Sequence, residues 1–550
     1  MDYNKLAELL FPNITESIAD LEKRFTKRDL PEGAEVTRFA PSPTGYMHIG
    51  GLYASLISSR LAKQTGGVFY LRIEDTDKKR EVDNGFEKII KSLEKFDIRF
   101  DEGPFDDDRN NPVYAPYRQS ERKDIYQTCV KELVRKGYAY PCFCAEEELE
   151  AIKQKQEEKK ENIGYYGAYA QCRNLTLEEI AEKIQNKEEY VIRLKSAGDP
   201  ENKLVFYDLV RGDIEMPENF QDVILLKRDG IPTYHFAHTV DDHFMRTTKV
   251  VRGDEWLSSW PTHRELFQVC GFEAPEYIHI APISKMEGAS KRKLSKRKDP
   301  EAAVDYYSEK GIPVDAVAEY LMTIANSNYE EWRIANPDAA NTEFVMSLNK
   351  MSNSGALFDM VKLNDIAKEV ISKKSIDQCY AEIEAWSAEY NPEFHEVVVA
   401  DSEKFKQTID LWKFTNGKVR KDVGMWSELY GMFEYLYKVG WEAETSEELL
   451  TKYGAENFKL VLQTYEQEYT VAADRDQWFS DVKVIAEKVG YTGDRKAYKA
   501  NPENYKGLVS DFCAIIRIAM TGKENSPDLY SIFSILGGNE VKRRLRGYIR

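Results

Sequence analysis

The chain has 550 residues, of which 42% are apolar and 31% charged, a composition typical of a folded protein with several domains. It contains no run of about 18 apolar residues that could span a membrane, and its charged N-terminus predicts no secretion signal. Seven scattered cysteines favour a reducing compartment over a disulfide framework, so the cytoplasm is the expected location.

Charge restricts where a polyanion could bind. The net charge is −17, from 77 Lys and Arg against 94 Asp and Glu. A nucleic-acid ligand would therefore need a local basic surface, because phosphate neutralisation supplies much of such affinity. Two segments qualify: KRKLSKRK, at 291–298, and VKRRLRGYIR, at 541–550.

The N-terminal part predicts a helix and then alternating elements. Residues 1–33 predict an amphipathic helix that ends before Pro31. A strand over 36–40, a Pro/Gly-rich turn over 41–45 and a helix over 48–64 follow, and the next strand, VFYLRIEDTD, ends in carboxylates. Short connections between strand, turn, helix and strand are typical of a doubly wound parallel sheet of the Rossmann type in an α/β protein.

The sequence pattern changes at about residue 121, where a charged segment with helical spacing predicts an insertion into the sheet. Strands return in YVIRLK, KLVFYDLVRGDI, TTKVVRGDEW and YIHIAPI, and DVILLKRDGIPTYHFAHTVDDH predicts a hairpin that leads into a helix. Five of the seven histidines fall in this second sheet region, at positions 235, 238, 243, 263 and 279. Beyond the basic loop the pattern predicts an all-α C-terminal region.

Two segments suggest phosphate chemistry. In FAPSPTGYMHIGG, two prolines stiffen a turn, glycines let a ligand approach the backbone, and the following helix offers its N-terminus to phosphate. His48, at the start of that helix, could donate to a phosphate or leaving group, although alone it would as readily be a packing residue. In KLSKR, Lys293 and Lys296 suit a mobile clamp on a polyphosphate, although alone they would be a solvated basic loop.

Together the two segments resemble the HIGH and KMSKS signatures of class I aminoacyl-tRNA synthetases. The fuller wording RFAPSPTG…HIGG, LRIEDTD, PTYHFA…VDDH, VRGDEW and KLSKRK is similar to bacterial glutamyl-tRNA synthetases, through most of 36–300 and again in SNSGALFD and, faintly, over 516–537. The resemblance implies ligation of L-glutamate to the 3′-terminal adenosine of tRNA(Glu) through a glutamyl-adenylate. ATP with Mg²⁺ is the implied cofactor.

The resemblance also implies the site residues. For glutamate they are Arg38, Ser42, Glu74, Tyr234, His238 and Arg252. For ATP they are His48, Gly50, Gly51, Glu255, Lys293, Leu294 and Lys296, with His48, Lys293 and Lys296 as the catalytic residues. We expect Arg252 to bind the side-chain carboxylate, Glu74 the ammonium and Arg38 a substrate carboxylate, because buried charges need opposite partners. His238 stands where the family commonly has Asn.

Three cysteines raise the question of zinc. Some members of the family hold zinc with C-x-C, a Tyr, and a Cys four residues beyond that Tyr. Cys142 and Cys144 provide the C-x-C, but Ala168 stands four residues before Cys172 and Tyr169 three before it. Three thiolates without a fourth ligand fall short of a closed tetrahedral site, so we expect no metal.

The implied partners are tRNA(Glu), L-glutamate and ATP, with no membrane contact and a monomeric chain. Trp412, Phe414 and Trp426 are candidates to stack on anticodon bases, although core packing is the more ordinary role of such aromatics. The expected domains are an N-terminal helical extension (1–33), two halves of the catalytic domain (34–120 and 209–290) around an inserted acceptor-end-binding domain (121–208), a KLSKR loop and stem-contact region (291–370) and a helical anticodon-binding domain (371–550).

Two other functions stay open. A glutaminyl-tRNA synthetase shares the fold but typically carries an Arg-Phe-Pro-Pro-Glu-Pro-Asn-Gly type of turn, which this chain lacks. A non-catalytic tRNA-binding paralogue should have lost His48 or Lys296, and both are present. The sequence does not decide whether tRNA(Gln) is also charged.

Overall fold

The computed structural model describes residues 1–42, 47–77, 85–415, 417–438, 440–443 and 447–548. The chain divides into two compact units, Met1–Tyr306 with Ala318–Asp359, and Tyr307–Val317 with Met360–Arg550. The finer division into six segments stays a prediction. Among the described helices, none combines the length and apolar character needed to cross a membrane.

Up to residue 359 the helices are α1 (Tyr3–Leu10), α2 (Ile18–Arg24), α3 (Ile49–Gln64), α4 (Gly85–Lys95), α5 (Lys123–Arg135), α6 (Glu146–Lys159), α7 (Leu177–Gln185), α8 (Tyr234–Phe244), α9 (Trp260–Cys270), α10 (Asp305–Lys310), α11 (Val314–Ala325) and α12 (Tyr329–Ala335). The strands are β1 (Val36–Phe39), β2 (Val68–Leu71), β3 (Ala139–Cys142), β4 (Val191–Leu194), β5 (Lys203–Asp208), β6 (Gly212–Pro217), β7 (Ile224–Leu226), β8 (Lys249–Gly253), β9 (Glu276–Ile280), β10 (Ser284–Glu287) and β11 (Ser290–Lys293).

After residue 359 the helices are α13 (Met360–Lys373), α14 (Ile376–Tyr390), α15 (Pro392–Ala400), α16 (Ser402–Lys413), α17 (Ser427–Tyr437), α18 (Glu447–Tyr453), α19 (Ala455–Glu468), α20 (Arg475–Lys488), α21 (Arg495–Ala500), α22 (Val509–Thr521), α23 (Leu529–Leu536) and α24 (Gly538–Gly547). Short strand pairs interrupt them at β12 (Phe414–Thr415) with β13 (Lys418–Val419) and at β14 (Tyr491–Thr492) with β15 (Gly507–Leu508).

The parallel sheet predicted from the sequence is confirmed. β1 pairs with β2 in parallel, and β8 pairs in parallel with β9, which pairs in parallel with β5. β8 lies beside β1, where the Thr248 amide donates to the Val36 carbonyl at 2.9 Å. The carboxyl ends of β1, β8 and β9 therefore meet at one edge, which is where doubly wound sheets bind ligands.

The insertion has its own sheet. β3, β4 and β7 pair antiparallel in the order β3, β4, β7; α5 precedes β3 in the chain, and α6 and α7 lie between β3 and β4. The predicted hairpin after residue 222 is present as β7 with a bridge between Leu226 and Pro232, and α8 follows it. The turn residues bring Tyr234 to the first position of α8.

Two local predictions were wrong. The predicted N-terminal helix is two helices, because Pro12 follows the end of α1 and disfavours helical backbone before it, while a Ser17–Asp20 capping box starts α2. The basic loop begins as a hairpin, since β10 and β11 pair antiparallel and place Lys293 opposite Ser284. Most side chains of the two strands are exposed, which lets this charged sequence form a two-stranded ribbon.

The second unit is helical, as predicted, and its core uses aromatic residues proposed for RNA stacking. Trp412 and Trp426 are each 3% exposed within that core, so they are not available for bases, whereas Phe414 is half-buried. The basic tail is also partly structural: Arg544 is buried and donates to the carbonyls of Met520 and Tyr435 at 2.7 and 2.6 Å. Arg544 thus binds carbonyl groups in the last turns of α22 and α17, which explains why it is buried.

Candidate active site

A cavity of about 1080 Å³ opens at the carboxyl ends of the parallel strands. Phe39 and Ala40 line it after β1, Arg252 and Gly253 at the end of β8, and Ile280 at the end of β9. Of the residues predicted for the site, the cavity is lined by Arg38, Ser42, His48, Gly50, Gly51, Glu74, Tyr234, Arg252, Glu255 and Lys293. The turn that joins β1 to α3 falls largely outside the described residues, at 43–46.

The N-terminus of α3 forms one wall. His48 is its N-cap, and its Nδ1 accepts the Gly50 amide at 2.9 Å. Nδ1 is therefore unprotonated, and Nε2 donates to the Leu294 carbonyl at 3.3 Å. Burial lowers the pKa of His48, which keeps the imidazole neutral. A Cβ on Gly51 would lie 3.0 Å from the sulfur of Met47, so glycine there leaves space at the helix start.

The basic hairpin places cations near the N-terminus of α3. The ammonium of Lys293 lies 3.0 Å from Oε1 of Glu255, and both side chains are about half exposed (50% and 51%). Leu294 does not line the cavity: it is 2% exposed and contributes its carbonyl to His48. Lys296 does not line it either, but its charge helps to lower the pKa of His48, so the two residues are close.

Buried charges lie at the opposite end. Arg72 donates to Asp242 at 2.5 Å and to Glu74 at 3.1 Å, and Arg38 donates to Asp242 at 3.4 Å. Burial alone would raise the pKa of Asp242, but Arg72 and Arg38 hold it well below its usual range. Burial raises the pKa of Glu74 to about 6 against the lowering effect of Arg72 and Arg38. Glu74 is thus a carboxylate that faces the cavity and titrates near neutrality.

Arg252 is held by two imidazoles. Its Nε donates to Nε2 of His279 at 2.9 Å, and its Nη1 donates to Nδ1 of His263 at 3.0 Å. Its Nη2 is buried and has no hydrogen-bond partner among the described residues. An unpaired guanidinium nitrogen in the wall of a cavity is costly unless a ligand completes it, and a carboxylate is the matching group.

His238 does not line the cavity, in contrast to the expectation from sequence. It is fully buried on the second turn of α8, with Nε2 2.9 Å from the Tyr277 hydroxyl and Nδ1 2.8 Å from Asp242. Burial lowers its pKa to about 4. The residue lies behind Tyr234, the ring of which stacks on it at 6.0 Å. Helical spacing of four places the two side chains on one face, and only the first reaches the cavity.

Sequence reasoning missed several lining residues. They include Tyr53, Thr76, Gln119, Lys227 and Trp256. Trp256 packs on Tyr234 with ring centroids 4.3 Å apart and belongs to the VRGDEW segment, which offered a signal for it. Gln119 belongs to no motif that gave such a signal: its backbone amide donates to the Ile73 carbonyl at 3.0 Å and its side chain donates to Asp241 at 2.9 Å, and both partners are distant in the sequence.

The insertion contains a second cluster. Ligand atoms of Cys142, Cys144 and Cys172 all lie within 4.8 Å of one another. The hydroxyl of Tyr165 lies 3.2 Å from the sulfur of Cys144. The expectation of no metal rested on the lack of a fourth ligand at 168 or 169, and it stays a prediction, although the chain brings the Tyr165 hydroxyl to the thiols. Three thiols and a phenol are a donor set that fits zinc.

Comparisons with known proteins identify the family. Residues 35–365 match the family described as tRNA synthetases class I (E and Q), catalytic domain, and residues 502–549 match an anticodon binding domain. Glutamate–tRNA ligases of Clostridium perfringens (strain SM101) and Clostridium beijerinckii are 49% and 47% identical, and each alignment covers 100% of this chain and of the relative. The crystal structure of a glutamate tRNA ligase from Elizabethkingia meningosepticum, in complex with its amino acid, is 28% identical with a TM-score of 0.76, over 94% of this chain and 99% of that one.

Proposed function

The chain belongs to the class I tRNA synthetases of the glutamate and glutamine group, and on that premise we propose that it ligates L-glutamate to the 3′-terminal adenosine of tRNA(Glu) through a glutamyl-adenylate. The observation that carries the choice of amino acid is Arg252, which lines the same cavity as Glu74 and has a buried nitrogen without a partner among the described residues. A guanidinium and a carboxylate in one pocket match an amino acid with an acidic side chain.

Each end of the cavity binds a different substrate in this proposal. Arg252 binds the side-chain carboxylate, Glu74 the ammonium and Arg38 a substrate carboxylate, with Tyr234 and Ser42 beside them. ATP lies over Gly50 and Gly51 at the start of α3, where the lack of side chains and the positive end of the helix dipole suit phosphate. His48, Lys293 and Lys296 bind the phosphates, and Glu255 binds the ribose.

The chemistry needs positioning and charge stabilisation more than a protein nucleophile. The α-carboxylate of glutamate attacks the α-phosphorus of ATP in line, and pyrophosphate leaves. Lys293 and Lys296 stabilise the charge that develops on that leaving group, and the Nε2–H of His48 donates to it. A ribose hydroxyl of the terminal adenosine then attacks the mixed anhydride, and AMP leaves. Mg²⁺ is expected to arrive with ATP.

The thiol cluster has a structural role in this proposal. Cys142, Cys144, Cys172 and Tyr165 would hold zinc, which fixes the segment after β3 against the segment before α7 when bound. The cluster lies in the insertion, where we place the acceptor end of the tRNA. We place the anticodon in the C-terminal region, and we expect a cytoplasmic monomer.

The test is a charging assay with ATP, labelled glutamate or glutamine, and purified tRNA(Glu) or tRNA(Gln). We expect glutamate to be attached to tRNA(Glu). The assay with tRNA(Gln) decides whether the enzyme charges only tRNA(Glu) or both tRNAs. A higher catalytic efficiency with glutamine would indicate a glutaminyl-tRNA synthetase. Tight tRNA binding without charging by either amino acid would indicate a non-catalytic paralogue.

A further inference from the structure

The two imidazoles that hold Arg252 belong to a longer buried chain of hydrogen bonds. Nδ1 of His279 lies 2.8 Å from Oδ2 of Asp208, and Nε2 of His263 lies 3.0 Å from Nδ1 of His235. Asp208, His263 and His279 have no solvent exposure. The chain therefore runs from Asp208 through His279, Arg252 and His263 to His235, and it connects β5, β9, β8, α9 and α8.

The arginine fixes every proton in this chain. A guanidinium can only donate, so Nε2 of His279 and Nδ1 of His263 must both be acceptors. His279 then carries its proton on Nδ1, from which it donates to Asp208, and His263 carries its proton on Nε2, from which it donates to His235. Both imidazoles are neutral in this arrangement, and burial lowers the pKa of each.

Neutral partners set Arg252 apart from the other buried arginines of the site. Arg38 and Arg72 form ion pairs with Asp242, and Arg72 also with Glu74 and Asp241. Within the described part of the chain, no carboxylate lies within the 4.0 Å of an ion pair with Arg252. Its ring contact, Tyr277 at 4.5 Å, is also uncharged when protonated. The positive charge of Arg252 is thus fixed in place without being neutralised.

We propose that His263 and His279 are positioning residues that hold Arg252 through neutral imidazoles, and that they thereby set the preference of this site for a carboxylate over an amide. This inference rests on the proposed function and deepens it. A substrate carboxylate supplies the missing opposite charge and accepts from Nη2, whereas an amide leaves the buried guanidinium uncompensated. A protein carboxylate in place of either imidazole would neutralise Arg252 beforehand and remove this difference.

Two variants of equal size test the proposal. Asn and Asp both place an acceptor oxygen near the position of the histidine Nδ1, so H263N keeps a neutral acceptor for Arg252 while H263D adds a carboxylate. The kcat and KM for glutamate and for glutamine are measured for both variants with tRNA(Glu) and ATP, after thermal melts show that both fold. We expect the ratio of kcat/KM for glutamate over glutamine to be at least about 10-fold lower in H263D than in H263N, mainly through a higher KM for glutamate.

Equal ratios in the two folded variants would overturn the proposal, because a merely structural role does not separate Asn from Asp in this way. If the wild-type enzyme charges tRNA with neither amino acid, the proposed function fails and the ratios of kcat/KM for glutamate over glutamine cannot be measured. A second measurement then still decides the proton arrangement: ¹⁵N-histidine NMR of the whole chain at pH 7. Unprotonated Nδ1 of His263 and Nε2 of His279 support the proposal, and an imidazole protonated on both nitrogens at either position contradicts it.

Discussion

The ammonium of Lys293 is paired with Oε1 of Glu255 at 3.0 Å, across the mouth of the cavity. The residue proposed to bind the phosphates is therefore engaged with the residue proposed to bind the ribose. Both side chains are about half exposed, so the pair contributes only about 0.2–1 kcal/mol. ATP can replace it at small cost, because each partner gains a nucleotide contact.

The substitution Glu255→Gln separates these two roles. Loss of a charged hydrogen-bond acceptor for the ribose costs about 1.5–3 kcal/mol, which exceeds what is gained by releasing Lys293. We expect the KM for ATP to rise by between about 2-fold and about 100-fold. Glu287→Gln is the matched control, since Glu287 pairs with Arg292 and Lys298 on the same hairpin and does not line the cavity. A lower KM for ATP in the Glu255 variant would show that the residue only restrains Lys293.

Lys296→Ala should slow charging about 100-fold or more while tRNA affinity changes only a few-fold, because the cation stabilises charge that develops on pyrophosphate. Single-turnover charging and filter binding of tRNA measure the two quantities. Lys298→Ala serves as the control, since Lys298 lies 3.4 Å from Glu287. An unchanged single-turnover rate in the Lys296 variant would eliminate this role.

The raised pKa of Glu74 predicts a pH dependence. Burial raises that pKa to about 6, so the carboxylate that should bind the substrate ammonium is lost as the pH falls through about 6. We expect log(kcat/KM) for glutamate to decline with unit slope below that pH, measured with ATP saturating. In Glu74→Gln the efficiency should be low at every pH and the inflection near 6 absent. A wild-type profile that stays flat from pH 7 to pH 5 would contradict the assignment.

The thiol cluster predicts about one zinc per chain by elemental analysis, because the ligand atoms of three cysteines lie within 4.8 Å of one another and the Tyr165 hydroxyl lies beside Cys144. Cys144→Ser should lower the zinc content and the melting temperature, and chelator treatment should lower the melting temperature of the wild type. Cys270→Ser, a cysteine outside the cluster, is the control and should keep its zinc. Purified wild-type protein with far less than one zinc per chain would restore the expectation drawn from the sequence.

Asp242→Asn should destabilise the fold. Asp242 is fully buried against Arg72 and Arg38, so removal of its charge takes the ion-pair partner from Arg38 and one of three carboxylates from Arg72, which costs about 3–5 kcal/mol. Glu215→Gln is the matched control, because its pair with Lys203 is exposed and should change the free energy of unfolding by no more than about 1 kcal/mol. Urea unfolding measures both values, and similar small losses would show that the buried network contributes little.

Local features of the sequence were sufficient for the strands next to the site. The β-branched and aromatic residues within 36–39 and 249–253 and the glycines after His48 place β1, β8 and the start of α3, because strand and turn preferences act over a few residues. The N-terminal break and the hairpin at 284–293 were missed. The break depends on a single proline, which a helical pattern does not reveal. The hairpin depends on cross-strand pairs, which a charge pattern does not reveal.

The sequence by itself determined the family resemblance, the α/β class and ten of the residues that line the cavity, because these are carried by contiguous segments such as RFAPSPTG and VRGDEW. Only the tertiary structure decided the place of His238 behind the site, the approach of Tyr165 to three thiols, and the two imidazoles on Arg252. Asp208, Arg252, His263 and His279 lie on separate strands and a helix. Their hydrogen bonds exist only once the sheet is assembled, since chain distance specifies neither which side chains meet nor which nitrogen donates.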